Sequence, residues 1–91
     1  MVSFVVESYA SEGAVDEQQD RARLAAELGP GVRYIRTTFL PGDETVFHAF
    51  EAESADALRW AIEATALPFD RIVEAVEAAA TSIASNRGLE R

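Results

Sequence analysis

Hydrophobic and polar positions alternate along this chain in two rhythms, and the switches between them outline six elements. Val2 to Tyr9 is rich in β-branched and aromatic residues and predicts a strand, broken by Ser11-Glu12-Gly13. A helical rhythm follows, with Ala22, Leu24, Ala25 and Leu28 as its apolar stripe. Asp16 is placed to cap that helix, Glu17 and Asp20 put negative charge in its first turn, and Gly29-Pro30-Gly31 stops it. Val32 to Leu40 and Thr45 to Ala52 return to the strand rhythm, and Pro41-Gly42-Asp43 between them is a turn signal, so they predict an antiparallel hairpin. Ser54 is placed as the N-cap of a second helix reaching about Ala66, with Ala57, Leu58, Ala61 and Ile62 facing inward. Leu67-Pro68-Phe69-Asp70 ends it.

The segment from Arg71 onward reads two ways. Arg71 to Val76 fits a strand, while Ile72, Val73, Val76, Ala79, Ala80 and Ile83 also fit a helical period. The preceding order β-α-β-β-α favours a strand, which completes βαββαβ, the ferredoxin-like α+β fold. In it, two right-handed crossovers lay both helices on one face of a four-stranded antiparallel sheet. The expected domain is residues 1–78, with 79–91 a short helical or frayed tail. The other sheet face is left bare, and a domain this small gains from covering it, so a two-fold homodimer is expected.

A four-residue turn from Pro41 to Glu44 pairs Leu40 with Thr45 and sets the hairpin register. One face then holds Ile35, Thr37, Phe39, Val46, His48 and Phe50, and the other Tyr34, Arg36, Thr38, Leu40, Phe47, Ala49 and Glu51. The first is the more apolar and is expected under the helices. A slip of one residue exchanges the faces.

Charge narrows the partners. Sixteen acids stand against eight arginines, with no lysine, giving a net charge of −8. Phosphate binding needs a basic patch, so neither nucleic acid nor an anionic membrane surface is an expected partner. No cysteine is present, which removes disulfides, thiol nucleophiles and thiolate metal sites. The N-terminus lacks the basic and apolar regions of a signal peptide, no apolar run approaches membrane-spanning length, and the cytoplasm is the default location.

One side chain carries unusual chemical capacity. His48 is the sole histidine, a nitrogen ligand and a group that titrates near neutrality. Mid-strand, opposite Thr37, it is read as a core or rim histidine that donates to Thr37 or to a backbone carbonyl, as a contact for a small ligand, or as a metal ligand. Tyr34, Arg36 and Glu7 are the other candidate ligand-binding residues; Arg36 suits a carboxylate, although an intersubunit ion pair with Glu51 is the plainer reading. Trp60 is expected to fill the core with its ring edge near solvent. One histidine makes no catalytic triad, and Gly29-Pro30-Gly31 precedes a strand rather than a helix, the wrong order for a phosphate loop.

Phe4-Val5-Val6-Glu7-Ser8-Tyr9, Val32-Arg33-Tyr34-Ile35-Arg36, the run Asp43 to Ala52 with its His48, and Leu67-Pro68-Phe69-Asp70-Arg71-Ile72 together resemble the small actinobacterial nickel-binding-protein-like domains. The resemblance spans about residues 3–77. It implies a dimeric ferredoxin-like fold of the α+β barrel type and a fourth strand after Asp70. It also implies nickel as the cofactor class, held by His48 with carboxylates such as Glu7, Glu51 or Glu74, or by two copies of His48 across the dimer; many members carry cysteine where this chain has His48. The expected function is a small ligand-binding or metal-binding domain. The alternatives are a cofactor-free monooxygenase, cyclase or isomerase with His48 as acid and base, aided by Arg36 or Tyr34, and an accessory dimerisation domain.

Overall fold

A computed structural model describes residues 1–76. The elements run β1 (Val2–Tyr9), a 3-10 turn (Glu12–Ala14), α1 (Val15–Leu28), β2 (Arg33–Leu40), β3 (Thr45–Ala52), α2 (Ala55–Ala64) and β4 (Arg71–Ala75). The strands form one antiparallel sheet in the order β2-β3-β1-β4, which is the ferredoxin-like topology. The strand at Arg71 is thus present, and the expected tail, 79–91, lies outside the described residues. Among the described residues, no helix is long and apolar enough to cross a membrane.

Local chemistry accounts for the ends of the elements. Ser54 caps α2 through its hydroxyl, which accepts from the Ala57 backbone N–H at 3.1 Å. Asp16 does not cap α1: the helix begins one residue earlier, at Val15, and Asp16 and Glu17 lie within its first turn. Glu44 takes a left-handed φ of 51°, closing the β2–β3 turn so that Leu40 pairs with Thr45 as the turn length predicts. At the end of α1, a Cβ on Gly29 would stand 2.6 Å from the Ala61 Cβ, so only glycine lets this turn press against α2.

The core lies between the sheet and the helices. Phe4, Val6, Phe50 and Ala52 meet Ala22 and Ala25 of α1 and Leu58, Ala61 and Ile62 of α2. The inward stripe of α1 differs from the expected one. Gln18, Ala22 and Ala25 are buried at positions i, i+4 and i+7, while Leu24 and Leu28 are exposed. Small alanines let α1 lie close to the sheet, and their stripe carries Gln18 inward with it.

The hairpin register also departs from strict alternation. Pairing runs regularly from Leu40↔Thr45 through Thr37↔His48 to Arg36↔Ala49, and then jumps to Tyr34↔Phe50, leaving Ile35 as the extra residue of a β-bulge. The bulge exchanges two expected positions. Tyr34 turns to the helix side, where its ring meets Phe50 edge-on at 5.7 Å, and Ile35 joins Arg36 at the wall of a cavity on the bare face.

Candidate functional site

His48 stands in the middle of β3, paired with Thr37 on one side and Val6 on the other, and is fully buried beneath α1. Val46, His48 and Phe50 alternate inward along β3, and α1 closes over them with Gln18. Both ring nitrogens are hydrogen-bonded. Nδ1 lies 2.8 Å from the Thr37 hydroxyl and Nε2 lies 3.0 Å from Gln18 Oε1. Thr37 is thus the expected partner, but the expected direction, from the ring to the hydroxyl, is reversed by the network.

The direction of every bond in this network follows from its two ends. Gln18 Nε2 donates to the Tyr9 carbonyl at 3.2 Å, so its Oε1 is the atom facing the imidazole. A carbonyl oxygen only accepts, so His48 Nε2 carries the proton. In a neutral ring Nδ1 then accepts, and the Thr37 hydroxyl donates to it. Thr37 in turn accepts from the Tyr34 hydroxyl at 2.6 Å, and Tyr34 accepts from Gln19 Nε2 at 3.1 Å. A single ordered chain thus runs from Gln19 through Tyr34, Thr37, His48 and Gln18 to the backbone of Tyr9, tying α1 to β2, β3 and β1.

The electrostatics agree with a neutral ring. Burial lowers the His48 pKa from 6.5 to about 4, because the imidazolium would lose its hydration. A charged ring would also donate from both nitrogens, and the Thr37 proton would then have to turn away. At neutral pH this histidine is an uncharged tie within the protein, poorly placed to trade protons with a substrate.

The four ligand-binding candidates separate into two pairs. Tyr34 reaches His48 through Thr37. Glu7 and Arg36 lie on the opposite sheet face: Glu7 pairs with the Arg71 guanidinium, and Arg36 borders a cavity of about 110 Å³ beside Val5, Ile35, Ala49 and Glu51. Glu51 bonds Arg33 within the same chain at 3.2 Å. The Arg71 pKa is raised by its hydrogen bond and charge attraction to Glu7. Gln18 and Gln19 were not singled out by pattern; the signal for Gln18 is a polar residue four before Ala22 and seven before Ala25.

A nickel site does not fit these residues. Among the described residues no three His, Cys, Asp or Glu side chains group closely enough to hold a metal. Glu7 and Glu51 sit on strand positions that alternate to the other face from His48, and Glu74, which shares its face, pairs with Phe4 on β4, with β1 lying between it and the strand of His48. Two copies meeting through the bare face would keep their His48 rings apart, each on the far side of its own sheet.

Comparison with known proteins bears on the fold. Neither the protein-family models nor the curated proteins contain a match. Among solved structures, SCO4226 from Streptomyces coelicolor A3(2) superposes with a TM-score of 0.68 and 20% sequence identity, over 85% of this chain and 99% of that one. Nearly the whole of that streptomycete chain therefore shares this architecture. At that identity the likeness is one of fold.

Proposed function

We propose that the chain acts as a small homodimerising domain joined through its bare sheet face, and that a small ligand, where one is held, lies between the two facing sheets. The observation that carries this reading is the strip formed by Val5, Phe47, Ala49 and Val73, apolar side chains on the side of the sheet that, among the described residues, carries no helix. Leu40 and Ile35 extend it toward the β2 edge, and both are more than a third exposed. An uncovered apolar surface of this kind on a small domain marks an interaction site. The ion pairs Arg33–Glu51 and Arg71–Glu7 flank it, as polar groups rim an interface.

The cavity at the bulge favours the ligand half of the proposal. Its mouth is on the bare face, so a facing sheet would close it, with the Arg36 guanidinium beside any bound carboxylate. The nickel role implied by family resemblance and the enzyme alternative both place their chemistry at His48. Each requires the ring to release a hydrogen bond inside a packed layer, which is the argument against them.

Light scattering coupled to gel filtration tests the dimer. The native chain should elute at twice its 9.9 kDa mass, and Ala49→Arg, which puts a charge at the centre of the strip, should elute at the single mass with an unchanged circular dichroism spectrum. A native chain that is monomeric at every concentration overturns the reading.

A further inference from the structure

Trp60 is the sole tryptophan of the chain, and 57% of its surface is exposed. The expectation that it fills the core is therefore not met. The reason is its place on α2. Leu58, Ala61 and Ile62 form the buried stripe, and Trp60 and Ala57, three residues apart, lie on the outer side. The close approach of Gly29 to Ala61 brings the α1–β2 turn up beside this outer stripe. Pro30 of that turn lines, with Ala57 and Trp60, a groove of about 340 Å³ whose wall among the described residues is apolar.

Carboxylates lie beside Trp60 along the helix and beside the turn that carries Pro30. Asp56 is four residues before Trp60 and Glu63 three after it, so both share its side of the helix. Glu53 reaches the turn from the other direction, its Oε2 lying 3.8 Å from where a Cβ on Gly31 would stand. The neighbouring cation, Arg59, is committed elsewhere, its guanidinium stacked over the Phe69 ring at 5.5 Å from the centroid. The result is an indole face and a proline wall framed by negative charge.

We propose that this groove docks a cationic segment of a partner protein, one that inserts an aliphatic side chain between Pro30 and Trp60 and lays flanking Lys or Arg residues against Asp56, Glu63 and Glu53. Charge complementarity selects this occupant. A lysine or arginine gains both from the carboxylates and from the tryptophan ring, the best of the aromatic faces for a cation. A second copy of the chain, with no lysine and eight arginines against sixteen acids, is a poor source of such a segment, and nucleic acid and anionic lipid bring only anionic groups to an acidic rim. This site is separate from the bare sheet face and stands whether or not the chain dimerises.

The experiment uses Trp60 as its own reporter. The full chain is titrated with a short synthetic peptide bearing one leucine flanked by lysines, and with the same peptide carrying glutamates in their place. The lysine peptide should move the Trp60 emission to shorter wavelength and saturate, the glutamate peptide should leave it unmoved, and Asp56→Asn with Glu63→Gln should weaken the lysine peptide roughly fivefold. The inference is overturned by no shift with the lysine peptide at millimolar concentration, by equal shifts with both peptides, by unchanged affinity in the folded double variant, or by a shift that follows protein concentration without peptide, which would mark a second copy as the occupant.

Discussion

The two faces of this sheet are made by alternate residues of the same strands, yet they have opposite characters. On the covered face, His48 and its neighbours form a polar chain with every described hydrogen-bonding atom of the ring engaged. On the other face, Val5, Phe47, Ala49 and Val73 form an apolar strip that no described helix covers. The residue with the most chemistry thus stands where a ligand must first break the core to reach it, and the plainer residues stand where a partner can arrive. A histidine in a small domain is informative only together with what its two nitrogens already hold.

Replacing His48 breaks the contrast most forcefully. His48→Ala removes a fully buried ring and leaves the Thr37 hydroxyl and the Gln18 carbonyl oxygen facing an empty space. Cavity and lost hydrogen bonds together should cost about 3 kcal/mol, read as a lower urea midpoint with an unchanged slope. A loss below about 1 kcal/mol would mean that the ring is not a structural tie.

Acid probes the same tie without mutation. The folded pKa of about 4 lies below the unfolded value of 6.5, so the unfolded chain takes up the proton first as pH falls. The contribution, about 3 kcal/mol, is therefore present above pH 6.5 and is lost progressively as pH falls to about 4. The decisive comparison is thus the slope of stability against pH between 6.5 and about 5, where it should be present in the native chain and flattened in His48→Gln. Equal slopes in the two proteins would remove His48 from the account.

Much of the fold was readable because its signals are local. The turn Pro41 to Glu44 fixed the Leu40–Thr45 pairing, Ser54 marked the start of α2, and chain order completed the sheet with Arg71 to Ala75. Burial of His48 and its contact with Thr37 followed from that register. What escaped notice was non-local or subtle. The bulge at Ile35 has no glycine or proline to mark it, and it decides that Tyr34 joins the histidine while Arg36 does not. The inward stripe of α1 is alanine with one glutamine, a weak pattern beside the more conspicuous Leu24 and Leu28, which lie outside. The size of Trp60 argues for burial, whereas its position on the helix, set by Leu58, Ala61 and Ile62, puts it outside. Helical phase outranked side-chain character in both cases.

The smallest predicted effect is the most discriminating one about the network itself. In the direction deduced here, Tyr34 donates to Thr37, and Thr37 donates to His48. Tyr34→Phe then takes away one incoming proton from Thr37 and leaves its own donation to the imidazole intact. Gln19, half-exposed, turns to water. The loss should be below about 1 kcal/mol, because no buried donor is stranded. Were the chain reversed, with His48 Nδ1 donating to Thr37 and Thr37 to Tyr34, the same substitution would strand the Thr37 hydroxyl proton in a partly buried site and cost about 1–3 kcal/mol. Nitrogen chemical shifts of the ring read the same choice independently: the proton belongs on Nε2 in both native and Tyr34→Phe chains. A proton on Nδ1 would reverse the chain and require the Gln18 amide to turn over, breaking its bond to the Tyr9 carbonyl.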